Sequence, residues 1–442
     1  MASTSVRAEF PDTVRTPPAP RTPRYRSVLL PLSFLAPALL LLGIWVIYPA
    51  LQTVRRSFYA DEDGTDFVGF KNWDRMLSDD NVHTAFKNNV IWILIAPIAV
   101  VALGLVLAVL TEKIGWASVF KIVLFMPLAI SLFAVGVIWR IVYQQDPDQG
   151  LLNAGAKGIH DIFVKPGVLP DAQPGQGLSP RFALTKPIDA GGVAKLAVTG
   201  IAPENVPGGA KQAVTPKPEQ GKITGVVWRD FKPGGGRPGV VEKQEVGIPG
   251  ASVTLLKDGK TVGSTSTGDD GSFTFDDVSG GGYTAQLAPA TFRAPWGGVQ
   301  WLGPRLVTPA IILAFIWTAV GFAMVVIGAG LSAIPRDVLE AARTDGGNEF
   351  QIFRRVTIPL LMPVLTVVFV TQMIGVLKIF DIIYAIAPGS VRPDATTLAF
   401  EMWQRSFSGE NRFGFGASIA TLLMILFVPF LIYQLRSQRK NA

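Results

Sequence analysis

The chain of 442 residues contains no cysteine, only two histidines and just 17% charged residues. Without thiols it has no disulfide framework, no thiolate metal site and no cysteine nucleophile. His83 and His160 stand apart, in stretches that read as loops, which argues against a histidine-based metal site. A soluble domain carries about 25% charge. The shortfall, together with 49% hydrophobic residues and a mean hydropathy of +0.36, points to a membrane protein. No nucleophile–base constellation, paired-carboxylate site or zinc spacing occurs. Gly259-Lys260-Thr261 comes nearest to a phosphate-binding loop, but Thr254 stands where that loop needs Gly. The formal charge of +7 does not require nucleic acid, because basic residues at membrane-flanking ends account for it.

What the chain does have is long apolar stretches. A spanning helix needs about 20 mainly apolar residues. Six stretches qualify: Val28–Tyr48, Val90–Leu110, Ile122–Trp139, Val307–Leu331, Ile358–Val376 and Ala417–Tyr433. None contains Asp or Glu, which disfavours an ion-coupled carrier. The first is too long for a secretory signal and lacks a small-residue cleavage site, so it reads as a retained span. With both termini inside, Arg7, Arg15, Arg21, Arg24, Arg26, Lys113, Lys121, Arg336, Arg343, Arg354, Arg355, Arg436, Arg439 and Lys440 face the cytoplasm. The two short outer loops carry fewer basic residues, in keeping with the positive-inside bias.

Between the third and fourth spans the composition changes. The interval 146–221 is rich in Pro, Gly and Ala and lacks periodicity, so it reads as a flexible linker. From Ile223 to Leu287, alternating β-formers are separated by turn pairs, among them Asp258-Gly259 and Asp270-Gly271. Gly-Val-Val-Trp-Arg-Asp near 225–230, Gly-Ile-Pro-Gly-Ala-Ser-Val-Thr-Leu at 247–255 and Thr-Gly-Asp-Asp-Gly-Ser-Phe-Thr-Phe at 267–275 resemble the small prealbumin-like β-sandwich repeats of bacterial surface proteins. The fold expected is therefore a mainly α, polytopic membrane protein with six spans and a small extracytoplasmic all-β sandwich insert. Its parts are a basic Pro-rich tail (1–27), core helices one to three (28–145), the linker (146–221), the sandwich (222–292), core helices four to six (300–436) and a short tail (437–442).

A polar loop at 332–357 separates the fourth and fifth spans on the cytoplasmic side. Pro335 suits a helix start, Arg336 to Asp345 can form a short helix, and Gly346-Gly347 breaks it. Asn348 can cap a second short helix running to Val356, and Pro359 returns the chain to the membrane. The spacing of Glu340, Ala341, Ala342, Gly346, Val356, Ile358 and Pro359 resembles the coupling loop of ABC importer permeases. Phe67-Val-Gly-Phe-Lys-Asn-Trp73, Phe125-Met-Pro-Leu-Ala-Ile-Ser131, Val376-Leu-Lys-Ile-Phe-Asp-Ile-Ile-Tyr384 and Phe413-Gly-Phe-Gly-Ala417 extend the likeness to the carbohydrate branch, α-glucoside permeases in particular. It covers roughly 28–145 and 300–440, leaving out the insert and the basic tail.

The resemblance implies a multi-pass cell-membrane subunit working with a second permease subunit, two ATPase subunits and an extracytoplasmic sugar-binding protein. ATP would be used by a partner, with no cofactor, metal or catalytic residue in this chain and no nucleic acid partner. A sugar path within the bilayer needs hydroxyl partners and aromatic faces. Thr371 and Gln372 are the first choices, Trp317 and Thr318 follow, and Lys378 and Asp381 are spaced to pair on one helical face. Two other classes stay open: an ion-coupled secondary sugar carrier, and an envelope-anchored adhesin using the β-domain.

Overall fold

Inside a bilayer every backbone amide must be satisfied by the segment itself, so long apolar runs fold as helices. The computed structural model describes residues 24–61, 64–112 and 114–441. The basic tail up to residue 23, and Lys113, lie outside the described residues. Among the described residues, four helices are long and apolar enough to cross a membrane: Ser33–Arg56, Asp80–Glu112, Val307–Ser332 and Glu349–Leu377. The chain is mainly helical, with a smaller region of sheet.

Two of the six expected spans take other forms. The stretch at 122–139 is broken into Ala117–Ala129 and Leu132–Val142, a bent pair. Pro127 lies in the 3-10 turn Met126–Ala129, and Ser131 starts the next helix by accepting the Ala134 N–H at 3.2 Å. A proline without an N–H beside an N-cap serine is a stop followed by a start. The last stretch lies in Phe413–Asn441, whose described apolar part is the shorter Phe413–Pro429.

The chain divides into two compact units. The first holds 1–128, 315–383 and 395–442. Small residues let its helices approach closely. A Cβ on Gly104 would stand 2.7 Å from Ala323 Cβ, and one on Gly330 would stand 2.9 Å from a Val364 methyl. Lipid gives helices no hydrophobic reason to associate, so such close packing has to hold them together. Trp92 packs edge-on against Phe315 with ring centroids 5.5 Å apart. Met76, Val82, Ala85, Leu398, Phe415 and Ile419 form a buried cluster at one end. His83 lies in the helix Asp80–Glu112 rather than a loop, with Nε2 2.7 Å from Leu77 O.

The second unit, 129–314 with 384–394, contains two sheets. One is four-stranded, in the order β1 (Gln173–Pro174), β2 (Val193–Thr199), β3 (Ile223–Arg229), β6 (Ser272–Phe275). The other is three-stranded, in the order β5 (Lys260–Ser266), β4 (Ser252–Lys257), β7 (Tyr283–Leu287). Leu196, Val227 and Phe273 from the first sheet meet Val253, Leu255 and Leu287 from the second in one buried core, which makes the pair a sandwich. Asp258 and Gly259 both take positive φ, 51° and 76°, between the paired Lys257 and Lys260. That is the tight hairpin their sequence calls for.

The boundary expected at residue 222 is corrected. β2 lies inside the interval read as a flexible linker and runs parallel to β3, from Val193↔Thr224 onward. The same interval also supplies the helix Leu151–Phe163, which carries His160. Entry and exit of the sandwich are tied together, Gly167 N donating to Arg293 O at 2.8 Å and Leu169 N to Thr291 O at 2.9 Å. The Asp269-Asp270 turn is satisfied internally: Asp269 pairs with Lys211 at 3.0 Å, and Asp270 Oδ1 accepts from Ser272 N. No group of three or more His, Cys, Asp or Glu is placed to hold a metal among the described residues.

Candidate functional site

The polar loop folds as an elbow whose turns follow from local chemistry. Pro335 stands at the N-cap of helix Arg336–Thr344. The helix ends on Gly346 at φ +85°, with Gly346 N donating to Arg343 O at 3.0 Å and Gly347 N to Ala342 O at 3.1 Å. This pair of bonds is the Schellman closure, which needs a left-handed residue after the C-cap and so favours glycine. Asn348 then starts the next helix with a full capping box. Gln351 N donates to Asn348 Oδ1 at 2.8 Å, and Asn348 N donates to Gln351 Oε1 at 3.1 Å. Arg343 bridges the bend to Glu349 at 2.8 Å. Both partners are more than half exposed, so this ion pair adds little stability; the bend rests on its caps.

The second arm differs from the separate short helix expected to Val356. Glu349–Ile352 passes through a π-helical turn, Phe353–Thr357, into Ile358–Leu377, and the whole forms the candidate span Glu349–Leu377. Pro359 has no N–H to complete an ordinary turn behind it, and the wider π turn accommodates this. The second arm of the elbow is thus continuous with a candidate spanning helix. Glu340, Ala341 and Gly346 are exposed, as are Val338 and Phe350. Phe350, at 70% exposure, is a large apolar side chain left uncovered, and Arg354 and Arg355 further along are exposed too. Ala342, Val356 and Ile358 are half-buried, and Pro359 is exposed at the foot of the span.

The residues expected to line a path lie on three helices and the break between two of them. Thr371 is exposed and donates to Val367 O, one turn back, at 2.8 Å. Gln372 is buried. Thr318 is buried and Trp317 partly exposed on the helix Val307–Ser332. Lys378 and Asp381 do not share a helical face: the helix Ile358–Leu377 ends at Lys378 and a new one begins at Asp381. No ion pair joins them among the described residues. Lys378 instead lines a cavity of about 430 Å³ with Phe380, Met402, Trp403, Met424 and Phe427. Phe380 and Trp403 have ring centroids 4.9 Å apart, an aromatic wall with a single cation at its edge.

A polar hub went unrecognised in the sequence. Arg405 contacts Glu401 at 3.2 Å, Asp79 at 3.2 Å and Glu410 at 3.3 Å. Glu401 also accepts from Thr396 Oγ1 at 2.8 Å. Asn88 Nδ2 donates to Thr396 O, and Asn89 Oδ1 accepts from Leu398 N, both at 2.8 Å. The hub thus fastens helix Leu398–Phe407 to helix Asp80–Glu112. Burial raises the Glu401 carboxyl above the usual range, opposed by Thr396 and Arg405. The Glu401/Arg405 spacing of four residues was the one local signal for it.

Residues 273–440 match the family model described as the binding-protein-dependent transport system inner membrane component. The osmoprotective compounds uptake permease of Synechocystis sp. is 28% identical, over 91% of this chain and 96% of that protein. The α-glucoside transport system permease of Rhizobium meliloti is 26% identical, over 96% of this chain and 87% of that protein. Alignments of this extent reach across the insert, so the likeness is not confined to 28–145 and 300–440. Among solved structures, a bacterial alginate ABC transporter in complex with an alginate pentasaccharide-bound periplasmic protein has a similar fold. Its TM-score is 0.54 at 13% identity, covering 94% of this chain and 96% of that one.

Proposed function

The chain belongs to the family of binding-protein-dependent transport system inner membrane components, and from that premise we propose that it is the permease subunit of an ATP-driven carbohydrate importer, for α-glucosides or related oligosaccharides. The observation that carries this reading is the elbow at 336–357, capped at both turns and continuous with the span Glu349–Leu377. A partner gripping the exposed Glu340, Ala341 and Phe350 would move that span as a lever. Ala341 and Ala342 permit close approach, Glu340 offers charge to a basic cleft, and Gly346 sets the angle.

In this reading two ATPase subunits bind the elbows of this chain and of a second permease subunit, and an extracytoplasmic sugar-binding protein delivers substrate. The bent pair counts as one span and Phe413–Asn441 as the sixth, with both termini in the cytoplasm and the sandwich outside. Carbohydrate is supported by the α-glucoside system named for one relative and by the aromatic wall at Phe380 and Trp403. Gln372, a buried amide within the span Glu349–Leu377, is the residue best suited to meet a sugar hydroxyl, with Thr318 and Trp317 as further contacts.

The test is uptake of a labelled α-glucoside by proteoliposomes holding both permeases and the ATPase, with binding protein outside. Uptake should need ATP and fall with Gln372→Leu. Uptake that persists without the ATPase, driven by an ion gradient, would overturn this reading in favour of a carrier.

A further inference from the structure

The helix Leu151–Phe163 is built the wrong way round for water. At 100° per residue, Leu151, Gly155, Gly158, Ile159, Ile162 and Phe163 fall in one arc, and Asn153, Lys157, His160 and Asp161 in the opposite one. The apolar arc is the exposed one: Leu151, Ile159, Ile162 and Phe163 are between 65% and 80% exposed. On the polar side only Asn153 turns fully inward, and Lys157, His160 and Asp161 are half-buried. Asn153 is fully buried, Lys157 pairs with Asp148 at 3.0 Å, and His160 stacks on Trp296 with centroids 5.8 Å apart. A surface helix in water shows the reverse.

Asn153 ties this helix to the chain on either side of it. Asn153 Nδ2 donates to Gln144 O, Gln145 O and Val299 O at 2.8, 3.0 and 2.9 Å. Asn153 Oδ1 accepts from Val299 N at 2.9 Å and Trp301 Nε1 at 3.1 Å. These are the points where the chain leaves helix Leu132–Val142 and where it approaches Val307. Aromatic rings mark the same level: Trp139 and Tyr143 are 5.1 Å apart, and Tyr143 and Trp301 6.1 Å. Trp and Tyr concentrate at membrane–water boundaries. Apolar exposure also continues along Leu132–Val142, where Phe133, Val137 and Ile141 are between 45% and 57% exposed.

We propose that Leu151–Phe163 is an interfacial helix that lies in the lipid headgroup region, on the side of the membrane carrying the sandwich, with its apolar arc in the acyl boundary. A 13-residue helix spans about 20 Å, too short to cross and well suited to lie flat. Amphipathic helices of this kind sink roughly 5–10 Å into the boundary. The occupant of the arc is lipid, because the arc continues the apolar face of a membrane helix and sits at its aromatic boundary.

The absence of cysteine makes the test direct. Nitroxide labels are placed singly at Ile159→Cys, Ile162→Cys and, as an aqueous control, Lys157→Cys. The full chain, assembled with its partner subunits, is placed in nanodiscs of phosphatidylethanolamine and phosphatidylglycerol. Collision with oxygen is compared with collision with nickel-EDDA. The oxygen-to-nickel ratio should be several-fold higher at 159 and 162 than at 157. Water-like ratios at 159 and 162 would overturn the proposal. So would labels shielded from both reagents, which would mean that protein covers the arc.

Discussion

Replacing Gly346 by Ala tests the elbow at the position where its backbone leaves the right-handed region. Gly346 sits at φ +85° with nothing within 4 Å of where a Cβ would stand. The cost of a side chain is therefore conformational and not steric, about 1–2 kcal/mol for an L-residue held left-handed. Gly346→Asn costs less, because a short polar side chain tolerates that region. Gly347 differs: a Cβ there would stand 2.9 Å from Ala342 O, the acceptor of its own N–H, so Gly347→Ala strains the Schellman bond directly. If an ATPase receives the ordered elbow, the Gly346→Ala cost is subtracted from association, and about 1–2 kcal/mol corresponds to roughly 5- to 30-fold weaker binding. The assay is equilibrium binding of purified ATPase subunit to the permease pair in nanodiscs. The expected affinity order is parent, Gly346→Asn, Gly346→Ala. Parental affinity in a Gly346→Ala protein of normal yield and melting temperature would refute the reasoning.

Asn348→Ala removes the capping box and should destabilise the start of the Glu349 helix by about 1 kcal/mol, seen as faster amide exchange at residues 349–352, with Asn348→Asp close to parent. Arg405→Met leaves the carboxylates of Glu401 and Asp79 without their cation, and breaking a buried pair costs about 3 kcal/mol. The unfolding midpoint in detergent should drop clearly, and Arg405→Lys should fall between. The Glu401 carboxyl is raised by burial, so the folded protein keeps a proton that the unfolded chain has released. Its stabilising contribution is full below the unfolded pKa and is lost as pH rises through the folded one; melting curves across that window should slope downward and flatten in Glu401→Gln. Because the Thr371 hydroxyl is already bonded to Val367 O, Thr371→Val should change stability by no more than about 1 kcal/mol and leave uptake near normal, whereas Gln372→Leu reduces it.

Local signals survived folding wherever one stretch of chain held both halves of the chemistry. Gly346-Gly347 ended a helix, Asn348 with Gln351 began another, and Asp258-Gly259 made its hairpin. The misreadings share a cause. Val193–Thr199 was hidden in a Pro- and Gly-rich interval because its partner, β3, lies beyond a long connection and pairs in parallel. Lys378 and Asp381 looked paired on the assumption of a continuous helix, which a stop at Lys378 undoes. The π turn before Pro359 joins the elbow to its span, where a break had been expected. Thr371 and Gln372 are sequence neighbours, yet helical rotation leaves one exposed and the other buried.

Consecutive residues alone specified a helical membrane protein with a β insert, and where its polar elbow turns. Apolar run length and turn chemistry are properties of a few consecutive residues, and water or lipid acts on them before any tertiary contact forms. Long-range packing settled that Arg405 meets Asp79 across 326 residues, that Asn153 binds the chain both before and after the sandwich, and that the exposed face of Leu151–Phe163 is its apolar one. Those outcomes depend on which distant groups are available to satisfy a buried charge or amide, and that is settled when the segments pack.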